Sequence, residues 1–434
     1  MADLPPPPSP DDAPRSHVGA PGAPRDLGVL AAYQPPAPQR ERVGRHVALA
    51  LATFASMVWA GATLAPLDLR YGPAPPTGGY GAAVLALLRE PEFWRAGLSY
   101  AVPFFAFLTV HEFGHYIAAR RHRLRVSLPY YLPVPLAGSI GTFGAVIRIK
   151  EPFRRMTQLF DVGAAGPLAG AVVAFGTVLF AVLTLPGPDY LLGVTGHEDV
   201  VATLRETGAF APFDREAVAP GSYALVLGDT PLFHLLGGLG AYRVPGDEIA
   251  HFPALLAGWL GLFFTALNLL PVGQLDGGHV VYALFGPRVH GVVARVATLL
   301  LLVSGAVGFA LDVAPGLGAW LGLGDAGGWA VLLAIVAVAS ARMFDGEWRV
   351  VAPAVAAVMA LVAALALGVP DLAAEVGYTG WLLWIGLILF LIRVDHPPVL
   401  VADPLSDRQR ALGYVCLALF GLCFSIQPIQ LVTG

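Results

Sequence analysis

His111, Glu112 and His115 stand in the five-residue stretch "HEFGH". On an α-helix, residues four apart lie about 40° from one another, so both imidazoles leave from one face. Two histidines at that spacing can share one Zn2+ at about 2.0–2.1 Å each. Glu112 follows the first of them, near enough to take a proton from a water the metal activates, without being forced into the coordination sphere. Gly114 leaves room on the helix flank for a substrate or a second helix. Five residues recur by chance, but these sit at the end of an almost wholly apolar stretch. An ionisable side chain at the centre of a membrane helix costs about 2.5–3.5 kcal/mol on insertion scales, so three in five residues without a purpose are hard to explain.

A catalytic zinc held by two histidines needs a third protein ligand and an open position. The best source is "TALNLLPVGQLDGGHVVYALFG", residues 265–286. Asp276 precedes Gly277 and Gly278, which let the backbone turn. Asn268 and Pro271 lie just before, where a helix would break. His279 is a rival third ligand, and an Asp before Gly is otherwise a turn or cap carboxylate.

The elements that must hold these residues are membrane helices. The chain has 434 residues, 56% hydrophobic and 13% charged, with mean hydropathy +0.67, whereas soluble domains run about 25% charged. Apolar stretches of spanning length fall at about 46–66, 97–120, 158–186, 251–271, 290–311, 328–342, 350–368, 380–393 and 411–430. The expected fold is therefore all-α and polytopic, with about nine transmembrane helices in a lipid bilayer. Residues 126–150, "VSLPYYLPVPLAGSIGTFGAVIRIK", are apolar but broken by Pro and Gly, and "GAVIRIK" alternates as a strand does. They predict a membrane-associated β-hairpin or re-entrant loop near the active site, tolerated at that depth only if protein buries it or it lines a wet cavity.

Orientation follows from the basic residues. With the N-terminus in the cytoplasm, Arg40, Arg42, Arg45, "RRHRLR" (120–125), "RIKEPFRR" (148–155), Arg342, Arg349, Arg393, Arg408 and Arg410 all fall inside. The outside loops 312–327 and 369–379 then carry no Lys or Arg. Both "HEFGH" and the Asp276 stretch come to the cytoplasmic ends of their spans. The Pro-rich residues 1–45 read as a disordered cytoplasmic tail. Residues 46–311 form a membrane-embedded core with an extracytoplasmic loop at 187–250, and 312–434 add further spans. A net charge of −4 gives no reason to expect nucleic acid as a partner. Cys416 and Cys423, seven apart on one helical face, are packing residues and not a disulfide. The scattered His122, His234, His251 and His290 read as interface or helix-end residues, and "DHPP" (395–398) as a turn closing a span.

With these motifs laid out, the sequence resembles the site-2 protease family of intramembrane zinc metalloproteases. "HEFGH" matches its first motif and "NLLPVGQLDGG" (268–278) its more specific second, while "GAAGPLAG" (163–170) is similar to its small-residue third span. The resemblance covers roughly residues 97–286. "LGDTPLF" (227–233) and "DHPPVLVADPLSDRQR" (395–410) resemble, more weakly, segments of a bacterial and plastid branch, which leaves a minor gating role open for "DHPP", and neither a PDZ insertion nor a nucleotide-binding C-terminal domain is recognisable. The resemblance implies Zn2+ held by His111, His115 and Asp276, with Glu112 as catalytic base. It implies that Asn268 holds an unwound substrate strand and that the 126–150 hairpin pairs with it. The expected substrates are membrane proteins with a transmembrane segment, cut within or beside it. Two other classes stay open: a divalent metal transporter using the same intramembrane His and Asp residues, and a non-catalytic relative that binds membrane proteins. A bacterial inner membrane is the expected location on Ala-, Gly- and Arg-rich usage, with a chloroplast membrane as the alternative.

Overall fold

The computed structural model describes residues 42–64, 85–86, 88–136, 138–194, 196–215, 218, 223–392 and 394–433. All but the last few residues of the expected tail lie outside them. Among the described residues, six helices are long and apolar enough to cross a membrane, or seven if one bent pair counts as a span. They include α1 (Val43–Leu64), α2 (Pro91–Arg121) and α3 (Met156–Leu183). Large apolar side chains stand exposed along the helix flanks, among them Val102, Val172, Phe180, Leu300 and Leu383. A water-facing surface of that kind would aggregate, whereas lipid covers it at no cost. The chain is an integral membrane protein.

The expected nine spans are not reached by length. The 251–271 stretch becomes a helix of only 16 residues, Pro253–Asn268, because Pro253 starts it and "NLLP" stops it. The 411–430 stretch becomes Asp407–Cys423, 17 residues, followed by extended chain. Of the 380–393 stretch, Gly380–Ile392 forms one limb of a pair bent by 47°. Nor is the protein all helix, since it carries two small antiparallel sheets.

The first sheet is the hairpin read from 126–150. Strand β1 (Tyr130–Pro133) pairs with β2 (Thr142–Val146), with Tyr131 opposite Ala145 and an irregularity before Pro133. The ladder continues through a Val126–Ile149 bridge. Tyr131 stacks on Phe105 of α2, its ring centroid 4.9 Å away, and donates to Thr109 Oγ1. At the hairpin tip Gly141 has φ +82° and lies against the backbone of Met57 in α1, where a Cβ would meet Met57 Cα at 2.6 Å. The hairpin is thus clamped between α1 and α2.

Beyond α3 come α4 (Glu198–Thr207), β3 (Tyr223–Leu227), α5 (Pro231–Gly237) and α6 (Pro253–Asn268). Helix α7 (Asp276–Gly308) is broken at Gly286, whose φ of 82° and ψ of 173° are not helical. Asp276 therefore rides on a short leading helix, with the span proper starting at Pro287. Helices α8 (Ala314–Trp320), α9 (Gly324–Met343), α10 (Trp348–Gly368), α11 (Pro370–Val376) and α12 (Gly380–Leu387) follow. The last helix, α13 (Asp407–Cys423), leads into β4 (Ile429–Thr433), which pairs antiparallel with β3. Cys416 and Cys423 are free and buried, as read from their spacing.

Candidate metal centre

Helix α2 carries "HEFGH" two-thirds of the way along, and α3 crosses it closely enough that neither helix could bear larger side chains. A Cβ on Gly114 would lie 2.6 Å from the carbonyl oxygen of Ala165. A Cβ on Gly166 would lie 2.1 Å from His115 Nε2, and one on Gly170 at 3.1 Å from His111 Nδ1. The small residues of "GAAGPLAG" are thus the floor on which the two imidazoles lie. His115 Nδ1 stands 2.7 Å from the Val162 carbonyl oxygen. A carbonyl only accepts, so Nδ1 carries the proton and Nε2 keeps its lone pair for a metal. Among the described residues His111 Nδ1 has no hydrogen-bond partner.

The two Nε2 atoms lie 3.0 Å apart, with the rings at 75°. Asp276 Oδ2 lies 3.5 Å from the first and 3.2 Å from the second. A tetrahedral ion with ligands at about 2.0–2.1 Å sets them about 3.3–3.4 Å apart. The observed triangle is close to that size, and two imidazoles with one carboxylate suit a divalent, borderline-soft ion. His111, Glu112 and His115 are 4–7% exposed. Asp276 reaches them because Gly277 and Gly278 press its turn against the backbone of Leu269 and Gly273, which a Cβ would meet at 2.0 and 2.3 Å.

Glu112 takes no part in that triangle. It faces the same cavity, of about 640 Å³, and its carboxylate accepts from the backbone N–H of Ile147, just after β2. Asn268, at the end of α6, brings its Nδ2 to 3.4 Å from His111 Nε2 and lines the cavity. His279 does not join the ligand atoms. Its Nδ1 lies 2.7 Å from His396 Nε2 instead, so the rival third ligand is paired elsewhere.

His396 was not read as a site residue. "DHPP" does close a helical segment, but it also folds back so that His396 and Pro397 wall the cavity. The segment is tied down by Asp403, which accepts from the Thr157 hydroxyl at 2.7 Å and from Arg155 Nε at 3.0 Å. Burial pushes the His396 imidazole down to about 3, with His279 and His290 adding to the effect. It is neutral at physiological pH. A lone HPP in a sequence carries no spacing that announces such a fold-back.

Residues 99–311 match peptidase family M50. The rice (Oryza sativa subsp. indica) protein named "Probable zinc metalloprotease EGY2, chloroplastic" is 30% identical over 221 residues, which is 51% of this chain and 35% of that protein. Its Arabidopsis thaliana namesake is 30% identical over 205 residues, 47% and 32% of the two chains. The rice (subsp. japonica) "Probable zinc metalloprotease EGY1, chloroplastic" is 31% identical over 194 residues, 45% and 29%. The matched stretches span about a third of the length of these relatives. No solved structure matches the chain. The family match runs through both motif stretches, so residues 99–311 form a peptidase M50 domain, that of the site-2 protease family, and these relatives are similar to the chain.

Proposed function

We propose that the protein is a zinc metallopeptidase that cuts other membrane proteins within or beside a transmembrane segment. The observation that carries the reading is the triangle of His111, His115 and Asp276 beside Glu112, in a cavity walled on one side by a β-hairpin. The three side chains would hold Zn2+, which when bound polarises a carbonyl and acidifies water. Glu112 accepts the proton of the attacking water and passes it to the leaving amine nitrogen. The Ile147 N–H holds that carboxylate toward the cavity. A substrate helix must unwind first, since its carbonyls are hydrogen-bonded to its own backbone. On its outer side β2 has no strand beside it among the described residues, so the resulting strand adds there, and the Asn268 amide is placed to donate to one of its carbonyls. Phe143 and Val146 on β2 are 79% and 50% exposed, so the strand is not covered. The arginine distribution supports an N-terminus in the cytoplasm and a metal centre near that side. Composition supports a bacterial inner membrane.

The test is Glu112→Gln in proteoliposomes with a single-span reporter. Zinc content stays at the wild-type level while cleavage falls by about 10²–10⁴-fold, the usual worth of a general base. Undiminished cleavage removes Glu112 from the mechanism. Zn2+ flux into the liposomes that persists in Glu112→Gln and is lost in His111→Ala would favour a transporter.

A further inference from the structure

The loop between α3 and α6 carries a second group of metal-ligating side chains. His197 immediately precedes α4, while Glu248 and His251 bracket a single 3-10 turn just before α6. His197 Nε2 lies 3.2 Å from Glu248 Oε1, and His251 Nδ1 lies 2.9 Å from Glu248 Oε2. The imidazole rings are 4.8 Å apart at 76°. One ligand atom from each of the three residues can be chosen so that all lie within 4.8 Å of one another. Among the described residues this is the only such group besides the centre on α2.

Glu248 is 6% exposed, and the ion-pair partners seen for it are these two histidines. A buried carboxylate needs a countercharge. A divalent cation held by all three side chains supplies one, in place of a proton on either imidazole. The turn that presents it is fixed from several sides. Leu227 N–H donates to the Gly246 carbonyl, and the Tyr190 hydroxyl donates to that of His251. Ile249 and Phe252 are buried in the core on either side. The group is therefore a built site and not a chance meeting of mobile side chains.

We propose that His197, Glu248 and His251 bind a second Zn2+, a structural clamp separate from the catalytic centre. Helix α3 starts beside the catalytic triangle and α6 ends there, so the loop joining their other ends lies across the protein. From His251 to Asn268 the helix rise alone is about 25 Å. His197 comes from the first part of the loop, and Glu248 and His251 from its end, with about 50 residues between them. One ion would fasten the entry of the loop to its exit, where little regular structure does so.

The full chain is purified in detergent, loaded with Zn2+, freed of excess and assayed for metal by mass spectrometry. The wild type is expected to hold two equivalents. His197→Ala and His251→Ala each hold one, His111→Ala holds one, and His111→Ala/His197→Ala holds none. Glu248→Gln, which preserves shape and hydrogen-bonding capacity, guards against misfolding: it should also hold one, with an unchanged gel-filtration profile. Protease cleavage between residues 198 and 247 should be at least several-fold faster in Glu248→Gln than in the wild type. One equivalent in the wild type, abolished by His111→Ala, overturns the proposal. So do two equivalents unaffected by both His197→Ala and Glu248→Gln. Neither result touches the peptidase reading, which stands or falls with Glu112.

Discussion

Gly166 is the position at which the packing of α3 against the metal centre is most severely tested. A methyl group there would lie 2.1 Å from His115 Nε2, where ordinary contact begins at 3.4 Å. The ring must therefore retreat by about 1.3 Å, or α3 must move away by as much. Metal–ligand distances tolerate about 0.2 Å. A displacement of that size takes Nε2 out of the coordination sphere and strains the bond from Nδ1 to the Val162 carbonyl. Loss of such a supporting bond alone weakens metal binding by about 10–100-fold, and misplacing catalytic groups by about 1 Å costs about 100-fold in rate. Gly166→Ala should thus lower zinc affinity, measured by chelator competition, and reporter cleavage in proteoliposomes, each by about 100-fold or more. The same helix supplies the controls. Gly170→Ala brings its Cβ only to 3.0–3.1 Å of Phe107 and His111, and Gly176 faces open space. The losses should fall in the order Gly166, Gly170, Gly176, with Gly176→Ala near the wild type. Cleavage by Gly166→Ala within about threefold of the wild type would refute the packing argument.

Asn268→Ala should keep its zinc but lose about 3–10-fold in kcat/KM, the worth of one hydrogen bond to substrate, measured on the same reporter. If the outer edge of β2 receives substrate, Phe143→Cys in a Glu112→Gln background should form a disulfide with a cysteine near the scissile bond, seen on non-reducing gels, while Tyr223→Cys on the other sheet should not. The segment around His396 should loosen in acid. Its imidazole titrates at about 3 when docked, against the ordinary 6.5, so the undocked state takes up the proton first. Docking is then full above about pH 6.5 and weakens as pH falls toward 3. Hydrogen exchange over 395–401 should show this loss, and His396→Gln should reduce its dependence on pH.

The grouping of His111, His115 and Asp276 was largely legible in the sequence because half of it is local. A spacing of four on a helix fixes where His111 and His115 point, whatever surrounds them. Asp276 could be shortlisted from its glycines, but choosing it over His279 required knowing what else His279 meets. That partner, His396, lies more than 100 residues on, and no local pattern couples the two. The glycines of "GAAGPLAG" were visible as small residues, yet which imidazole each one accommodates depends on how α2 and α3 cross. The second cluster was missed for a similar reason. Glu248 and His251 sit three apart in "DEIAH", a faint signal, but His197 is far away in a loop without motif. The span count suffered from judging apolarity without length: α6 is hydrophobic throughout, yet Pro253 and the "NLLP" break hold it to 16 residues.

The pairing of β3 with β4 fixes the order in which the molecule can be finished. Residues 223–227 leave the ribosome about 200 residues before their partners at 429–433. At roughly 5–20 residues per second, the earlier strand waits about 10–40 s. Throughout that wait its backbone groups lack the strand that finally satisfies them, and nine further helices, α5 to α13, must be placed before it arrives. The helices that carry His111, Glu112, His115 and Asp276 are all made by then. The face opposite the metal centre is thus the last to close, and during synthesis it is the face most open to a wrong strand from a neighbouring chain.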